Sequence, residues 1–238
     1  MMSDINCVWI GDELSIMERL SLILAKNAGY NVILWSNSKF ENIPCGINLK
    51  ELPNDILPPV KFNGNPHPSL KNGGIGSLSQ WSDYFAYEIL YRNGGYWMQL
   101  DLAILNNLNI TNSFAFTGWK NAISPVFMKM PKGSEYTKET INAMKEILKN
   151  EMKGLSWEHS MNLMHNIALK HKIYNDCKII NHLDGYYDCG ASRNNPYDSP
   201  LKQPLSFIHW SNATNYSSKK TPILNSEYYN LCKKHNLI

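Results

Sequence analysis

Residues 82–105 read Ser-Asp-Tyr-Phe-Ala-Tyr-Glu-Ile-Leu-Tyr-Arg-Asn-Gly-Gly-Tyr-Trp-Met-Gln-Leu-Asp-Leu-Ala-Ile-Leu, and their reading decides the fold. The stretch opens as a helix. Ser79 or Ser82 can cap it, and Asp83 then falls in the first turn, where a carboxylate favours the macrodipole. Tyr84, Phe85, Ile89 and Leu90 recur at helical spacing. Gly94-Gly95 stops the helix, because glycine takes the left-handed conformation of a C-terminal cap without strain. Tyr96-Trp97-Met98 is a short apolar run of strand type, and Leu102 to Leu105 is another. Asp101 therefore stands at the tip of a buried strand. Burying a lone carboxylate costs on the order of several kcal/mol, so a cation, a hydrogen-bond cluster or solvent in a cleft must compensate. A salt bridge or a strand-end turn fits this spacing equally well.

Upstream, Ile5 to Ile10 reads as a first strand ended by Gly11. Residues 13–28 carry Leu14, Met17, Leu20, Leu22, Ile23, Leu24 and Ala28 as an amphipathic helix ended by Gly29, and Tyr30 to Trp35 is a second strand. A strand–helix–strand unit implies a right-handed parallel crossover and nucleotide-binding α/β layering. Ligands of open α/β sheets sit outside the carboxyl ends of the strands. Trp9 lies at such an end, where an aromatic face suits a nucleobase. Packing in the core is the other reading of the same indole.

These stretches together resemble the DXD-containing glycosyltransferases of GT-A fold. The group of likeness holds capsule and lipopolysaccharide sugar transferases, yeast-type mannosyltransferases and the glucosyltransferase domains of large clostridial toxins. The resemblance rests on Ser82-Asp83, Tyr87, Leu90-Tyr91, Gly94-Gly95-Tyr96 and Leu100-Asp101, with Trp9-Ile10-Gly11 at the end of the first strand. It implies a Rossmann-like, mixed, mostly parallel sheet flanked by helices. It also implies a metal-assisted hexosyl transfer from a nucleotide sugar, a UDP- or GDP-sugar, to a glycan or lipid-linked glycan, with retention of anomeric configuration. Asp101 matches the second Asp of the motif and becomes the expected catalytic metal ligand for Mn²⁺ or Mg²⁺. Trp9 is expected to stack the base, with Ile10 and Gly11 framing it, and Asp83 and Tyr87 to line the donor site. Two departures stand out. Ala86 occupies the place of an arginine, and Gln99 that of the first Asp, so Gln99 can hydrogen-bond ribose or a metal-bound water but brings no charge.

The rest of the chain is read against this core. Residues 40–76 are broken by prolines, with a short element near 47–57. Lys71-Asn72-Gly73-Gly74-Ile75-Gly76 could cradle a phosphate through its N–H groups, but a lone glycine-rich loop is a weak signal, and a flexible lid or a plain turn is the favoured reading. Phe114 to Trp119 and Ala122 to Met130 form two strands, with Pro125 marking an edge or a break. Residues 134–150 form a helix with a solvated lysine face. Glu158 to Leu169 is a further helix. Glu158 is the second catalytic candidate, and a carboxylate aiding the helix dipole is its structural alternative; His159 and His165 read as ordinary core or surface histidines. Lys178 to His182 is a strand, 184–204 a loop, and Leu205 to Ile208 a last strand before His209-Trp210-Ser211-Asn212. In relatives such a closing segment returns to the donor diphosphate and metal, which makes His209 a second expected metal ligand and Asn212 a donor contact. Ser226 to His235 reads as a terminal helix.

Composition sets the outer limits. The 238 residues suffice for one domain, 1–238, and 43% hydrophobic with 18% charged residues is globular. A net charge of +3 with no basic cluster argues against nucleic acid, while leaving room for an anionic donor or a loose contact with acidic lipid. No apolar run is long enough for a membrane span, and the first residues lack a signal core. The expected setting is the cytoplasm, or the inner face of its membrane, in polysaccharide biosynthesis. Five scattered cysteines without a CxxC pair indicate reduced thiols. The altered motif also admits a non-catalytic sugar-nucleotide or glycan-binding module. A nucleotidyltransferase would need a glycine-rich, Lys/Arg-bearing loop after the first strand, and residues 9–13 offer none.

Overall fold

The computed structural model describes residues 2–58, 76–119, 122–149, 157–188, 205–210 and 222–238. Among the described residues, ten strands form two sheets. The larger contains β1 (Ser3–Trp9), β2 (Tyr30–Ser36), β3 (Asn48–Glu51), β4 (Gly95–Met98), β6 (Phe114–Trp119), β7 (Ala122–Met130) and β8 (Cys177–Ile180), in the order β3-β2-β1-β4-β7-β6-β8. The smaller contains β5 (Leu102–Ile104), β9 (Tyr186–Asp188) and β10 (Phe207–His209), in the order β5-β10-β9. Helices α1 (Ile16–Asn27), α2 (Gly76–Asn93), α3 (Glu135–Lys149), α4 (Trp157–Lys170) and α5 (Glu227–Lys234) flank them. The fold is α/β, with a mixed, mostly parallel sheet flanked by helices. By its internal contacts the chain divides into two compact units. Among the described residues, no helix is long and apolar enough to cross a membrane. Cys7, Cys45, Cys177 and Cys232 are free thiols.

The first unit comprises Met1–Glu51, Met98–Asn109 and Ile180–Ile238. Here β1 and β2 pair in parallel from Ser3↔Tyr30 to Trp9↔Ser36, and β3 adds to β2 in the same sense. Helix α1 makes the crossover. Its start is fixed by the buried Glu18, whose carboxylate accepts from the Ser15 backbone N–H at 2.7 Å, one half of a capping box. Its apolar face, Met17, Leu20 and Leu24, packs with Ala103 of β5, Ile208 of β10, Trp210, and Tyr228, Leu231 and Cys232 of α5 into one cluster.

The second unit comprises Leu52–Trp97 and Ile110–Ile179. Helix α2 starts at Gly76, six residues before the expected Ser82. Ser79 and Ser82 are helix-interior positions rather than caps, and Asp83 is not in the first turn. The reason is Trp81: its ring lies 5.0 Å from that of Phe85, and its indole N–H donates to the Leu57 carbonyl at 2.7 Å, which extends the buried face backwards. Gly94, at φ +69°, ends the helix as expected, and a Cβ there would stand 2.8 Å from the Lys132 backbone nitrogen. Strands β6 and β7 form an antiparallel pair whose register slips between Phe116 and Thr117. Pro125 falls in this irregularity. It is a break and not an edge, because β7 lies inside the sheet between β4 and β6, and a bulge tolerates the missing N–H.

One lysine of α3 is not merely solvated. Lys145 Nζ stands 2.6 Å from the buried Glu88, which also accepts from Tyr84 Oη at 2.7 Å and pairs with Arg92. Arg92 in turn pairs with Asp55 at 2.9 Å. Burial pushes the Glu88 carboxyl up, but Lys145, Tyr84 and Arg92 together outweigh it, and the group sits below its ordinary value of 4.5. A depressed acid stabilises the fold above its unfolded value and loses that contribution as pH falls through the folded one. Stability should therefore decline below about pH 4.5. Glu88→Gln is expected to cost on the order of 1–3 kcal/mol at neutral pH and to flatten the acid limb. Urea melts across pH 3–7 check this, and an unchanged acid limb in the variant would contradict it.

Candidate functional site

The smaller sheet positions the site residues of the first unit. After β4 the chain turns at once: the Leu102 N–H donates to the Gln99 carbonyl at 3.1 Å, which places Leu100 and Asp101 at the centre of a tight turn. Strand β5 leaves this turn and pairs antiparallel with β10, His209 opposite Leu102. The pairing continues past both strand ends. The Trp210 N–H donates to the Asp101 carbonyl at 2.8 Å, the Leu105 N–H to the Ser206 carbonyl at 2.8 Å, and Asn106 Nδ2 to the Leu205 carbonyl at 3.0 Å.

This register brings two of the expected site residues together. His209 Nε2 stands 3.5 Å from Asp101 Oδ2, with side chains 13% and 17% exposed. That spacing exceeds the roughly 2.7–2.9 Å of a tight charge-assisted hydrogen bond. The pair is thus in electrostatic contact, and both groups retain partial access to solvent. Among the described residues, no cluster of three or more His, Cys, Asp or Glu side chains forms a metal cage.

Trp9, Ile10 and Gly11 follow at the end of β1, all partly exposed. The Trp9 indole N–H donates to the Glu13 carbonyl at 2.8 Å, which holds the ring by its nitrogen edge. Gly11 permits this, since a Cβ there would lie 3.0 Å from that nitrogen.

In the second unit, Asp83 and Tyr87 lie one turn apart on α2, and both are buried. The Tyr87 hydroxyl is bonded to that of Tyr136 at 3.0 Å. Burial, followed by the charge environment that Tyr136 and Asp83 provide, pushes Tyr87 well above the ordinary tyrosine range, so it stays neutral. Ala86, where the resembling family carries an arginine, is fully buried. His165 Nδ1 contacts the Tyr174 hydroxyl at 2.6 Å, a structural pairing as read. Glu158 lies in α4, but its side chain, like that of His159, is outside the described residues, as are Asn212 and residues 71–75 of the glycine-rich stretch.

Trp210, which the sequence places only within the closing segment, has a specific part in this register. It is fully buried, holds the Asp101 backbone, and sets its ring 5.1 Å from that of Tyr228 at 62°. An apolar residue alternating with Ile208 around His209 was the only local signal.

No protein-family model matches the chain, and no curated protein does. Solved structures do. An active-site mutant of LgtC superposes with a TM-score of 0.51 at 9% identity, over 97% of this chain and 95% of that one. The PaToxG glycosyltransferase gives 0.49 at 14% identity, over 73% and 72%. The glycosyltransferase GlyE of Streptococcus pneumoniae TIGR4 gives 0.49 at 10% identity, over 98% of this chain and 63% of that one. At 9% identity the superposition on LgtC shows the fold alone, the Rossmann-like GT-A type.

The indole anchor can be checked by itself. Gly11→Ala, at a backbone φ of +158° that residues with a side chain rarely adopt, should displace the Trp9 ring and loosen its bond to Glu13, at a cost of about 1–3 kcal/mol. The Trp9 indole N–H resonance, assigned with Trp9→Phe, is expected to shift and to exchange faster with solvent. An unmoved resonance would show that the ring has room for the methyl group.

Proposed function

We propose that the chain is a glycosyltransferase that moves a sugar from a nucleotide diphosphate donor to a hydroxyl acceptor. The observation that carries this reading is the Asp101–His209 contact, set at a strand-end turn of a GT-A fold. Retention of configuration, a UDP- or GDP-linked hexose, a glycan or lipid-linked acceptor and a cytoplasmic setting are the finer parts of the proposal.

The residues fit a divalent cation of the Mn²⁺ or Mg²⁺ kind. Two ligand atoms each about 2.1 Å from one ion stand roughly 3.0–3.5 Å apart, and the Asp101–His209 separation is 3.5 Å. Such ions take one or two protein ligands and complete their shell with phosphate oxygens and water, while an imidazole favours Mn²⁺. When bound, the cation would neutralise charge developing on the leaving diphosphate. Asp101 and His209 would hold it, and Gln99 would orient a bound water or the ribose by hydrogen bonding. Trp9, fixed at its nitrogen edge, would offer a ring to the base, with Ile10 and Gly11 beside it.

The second reading is a binding module without turnover, which Gln99 and the buried Ala86 favour. A melt screen of UDP- and GDP-sugars, with and without Mn²⁺, identifies the donor; donor hydrolysis then separates the readings. Asp101→Ala should lower turnover by at least about 100-fold while its melting temperature stays within a few degrees of the parent. Undiminished turnover in purified Asp101→Ala would remove this carboxylate from the mechanism, and binding without turnover by the parent would favour the module.

A further inference from the structure

We propose that Tyr228 of the C-terminal helix is a positioning residue for the Asp101–His209 pair and acts through Trp210. The inference rests on the transferase reading of that pair and adds to it the element that holds it in register.

Strand β10 is only three residues long, so its pairing alone fixes its rotation weakly. Side chains alternate along a strand. Ile208 and Trp210 both enter the apolar cluster shared by α1 and α5, and His209 between them is turned the other way, to Asp101. The burial of those two neighbours therefore sets the direction of the imidazole. Trp210 is held twice. Its backbone N–H bonds the Asp101 carbonyl, and its ring meets Tyr228 in an edge-to-face contact with centroids 5.1 Å apart. One residue thus grips the backbone of the carboxylate and, through the chain, the orientation of the imidazole. Tyr228 packs an aromatic ring against that grip. It is fully buried and sits in the first turn of α5, whose start is capped by Ser226 Oγ accepting from the Tyr229 N–H at 3.0 Å. An eight-residue helix is not stable in isolation, so α5 persists through its packing, and that packing reaches the site through the Tyr228–Trp210 contact.

A purely structural role would make every core truncation in α5 equivalent. A positioning role separates them. The test uses the full chain and Mn²⁺ with UDP or with GDP as probes. Mn²⁺ binding is read by electron paramagnetic resonance, turnover with the donor found in the screen, and folding by thermal melt. Tyr228→Leu is expected to weaken Mn²⁺ binding and to lower kcat by about 10-fold, with little change in KM for the donor. Tyr228→Phe, which keeps the ring, should stay within about twofold of the parent. Leu231→Ala, one turn on in the same cluster, should lower the melting temperature while leaving Mn²⁺ binding unchanged. If Tyr228→Leu does not fold, Tyr228→Met carries the same expectation. Parent-like Mn²⁺ binding in the Tyr228 variant, or equal weakening in Leu231→Ala, would overturn the proposal. His209→Ala separates it from its premise. If that variant keeps full Mn²⁺ binding, the transferase site itself is wrong; if it loses binding and Tyr228→Leu does not, only the positioning role fails.

Discussion

A carboxylate left 17% exposed in a turn needs a partner, and the partner here comes from the far end of the chain. The contact between Asp101 and His209 is the constraint around which the smaller sheet is arranged. Its three strands have three residues each and could not persist as an isolated sheet. They exist because β5 leads directly out of the Asp101 turn, β10 must lie against it, and the cluster of α1 and α5 covers the result. The backbone bonds at both ends of the β5–β10 pair convert that apolar burial into a fixed register. A slip of one residue would exchange His209 for a neighbour of opposite facing. The chemistry of the pair therefore depends on packing that touches neither group.

The second unit treats its buried polar groups differently. Glu88 is saturated by Tyr84, Lys145 and Arg92, and Tyr87 by Tyr136. His165 is matched to Tyr174, and Glu139 holds Lys170 and His171 between α3 and α4. Glu88 and Tyr87 are bonded in the way a folded interior requires, while the Glu139 cluster lies nearer the surface. The Asp101–His209 contact stands at 3.5 Å, and both side chains keep partial access to solvent. For Tyr87 the pairing argues against a donor contact, because a hydroxyl bonded inside the core is not offered to a ligand.

Much of the fold was legible because its signals are local. Strands β1, β2, β6 and β7 are apolar runs bounded by turn residues, and Gly94 stops α2 through a backbone conformation written into its own residue. The start of α2 was misread for an equally physical reason. Ser82-Asp83 has the composition of a helix N-terminus, yet the burial of Trp81 carries the helix through it. Strand β9 has no signal of its own in a stretch that reads as loop, because three residues beside Gly185 show no period. The site was legible only in part. Trp9 and Asp101 stand at strand ends, where pattern reading can place them. His209 could be tied to Asp101 only by the order of motifs in a resembling family, since no spacing rule connects residues so distant. Trp210 was passed over because a buried indole next to a polar candidate reads as filler until its backbone bond is seen.

The two departures from the family pattern bear on how such a site would operate. Ala86 is fully buried, so an arginine there would need space that the packed helix does not provide. Gln99 removes one negative charge from the turn that carries Asp101. At an effective dielectric near 20, one unit charge about 4 Å from a monovalent partner is worth on the order of 4 kcal/mol, and more for a divalent ion. Under the transferase reading, a single carboxylate and a neutral imidazole would hold such an ion weakly by themselves. The missing charge is of the same sign as that of a diphosphate. A donor arriving with its phosphates would supply what the glutamine does not, and cation and donor would then enter together. Under that reading the substitution would not abolish the site; it would make metal retention depend on the nucleotide.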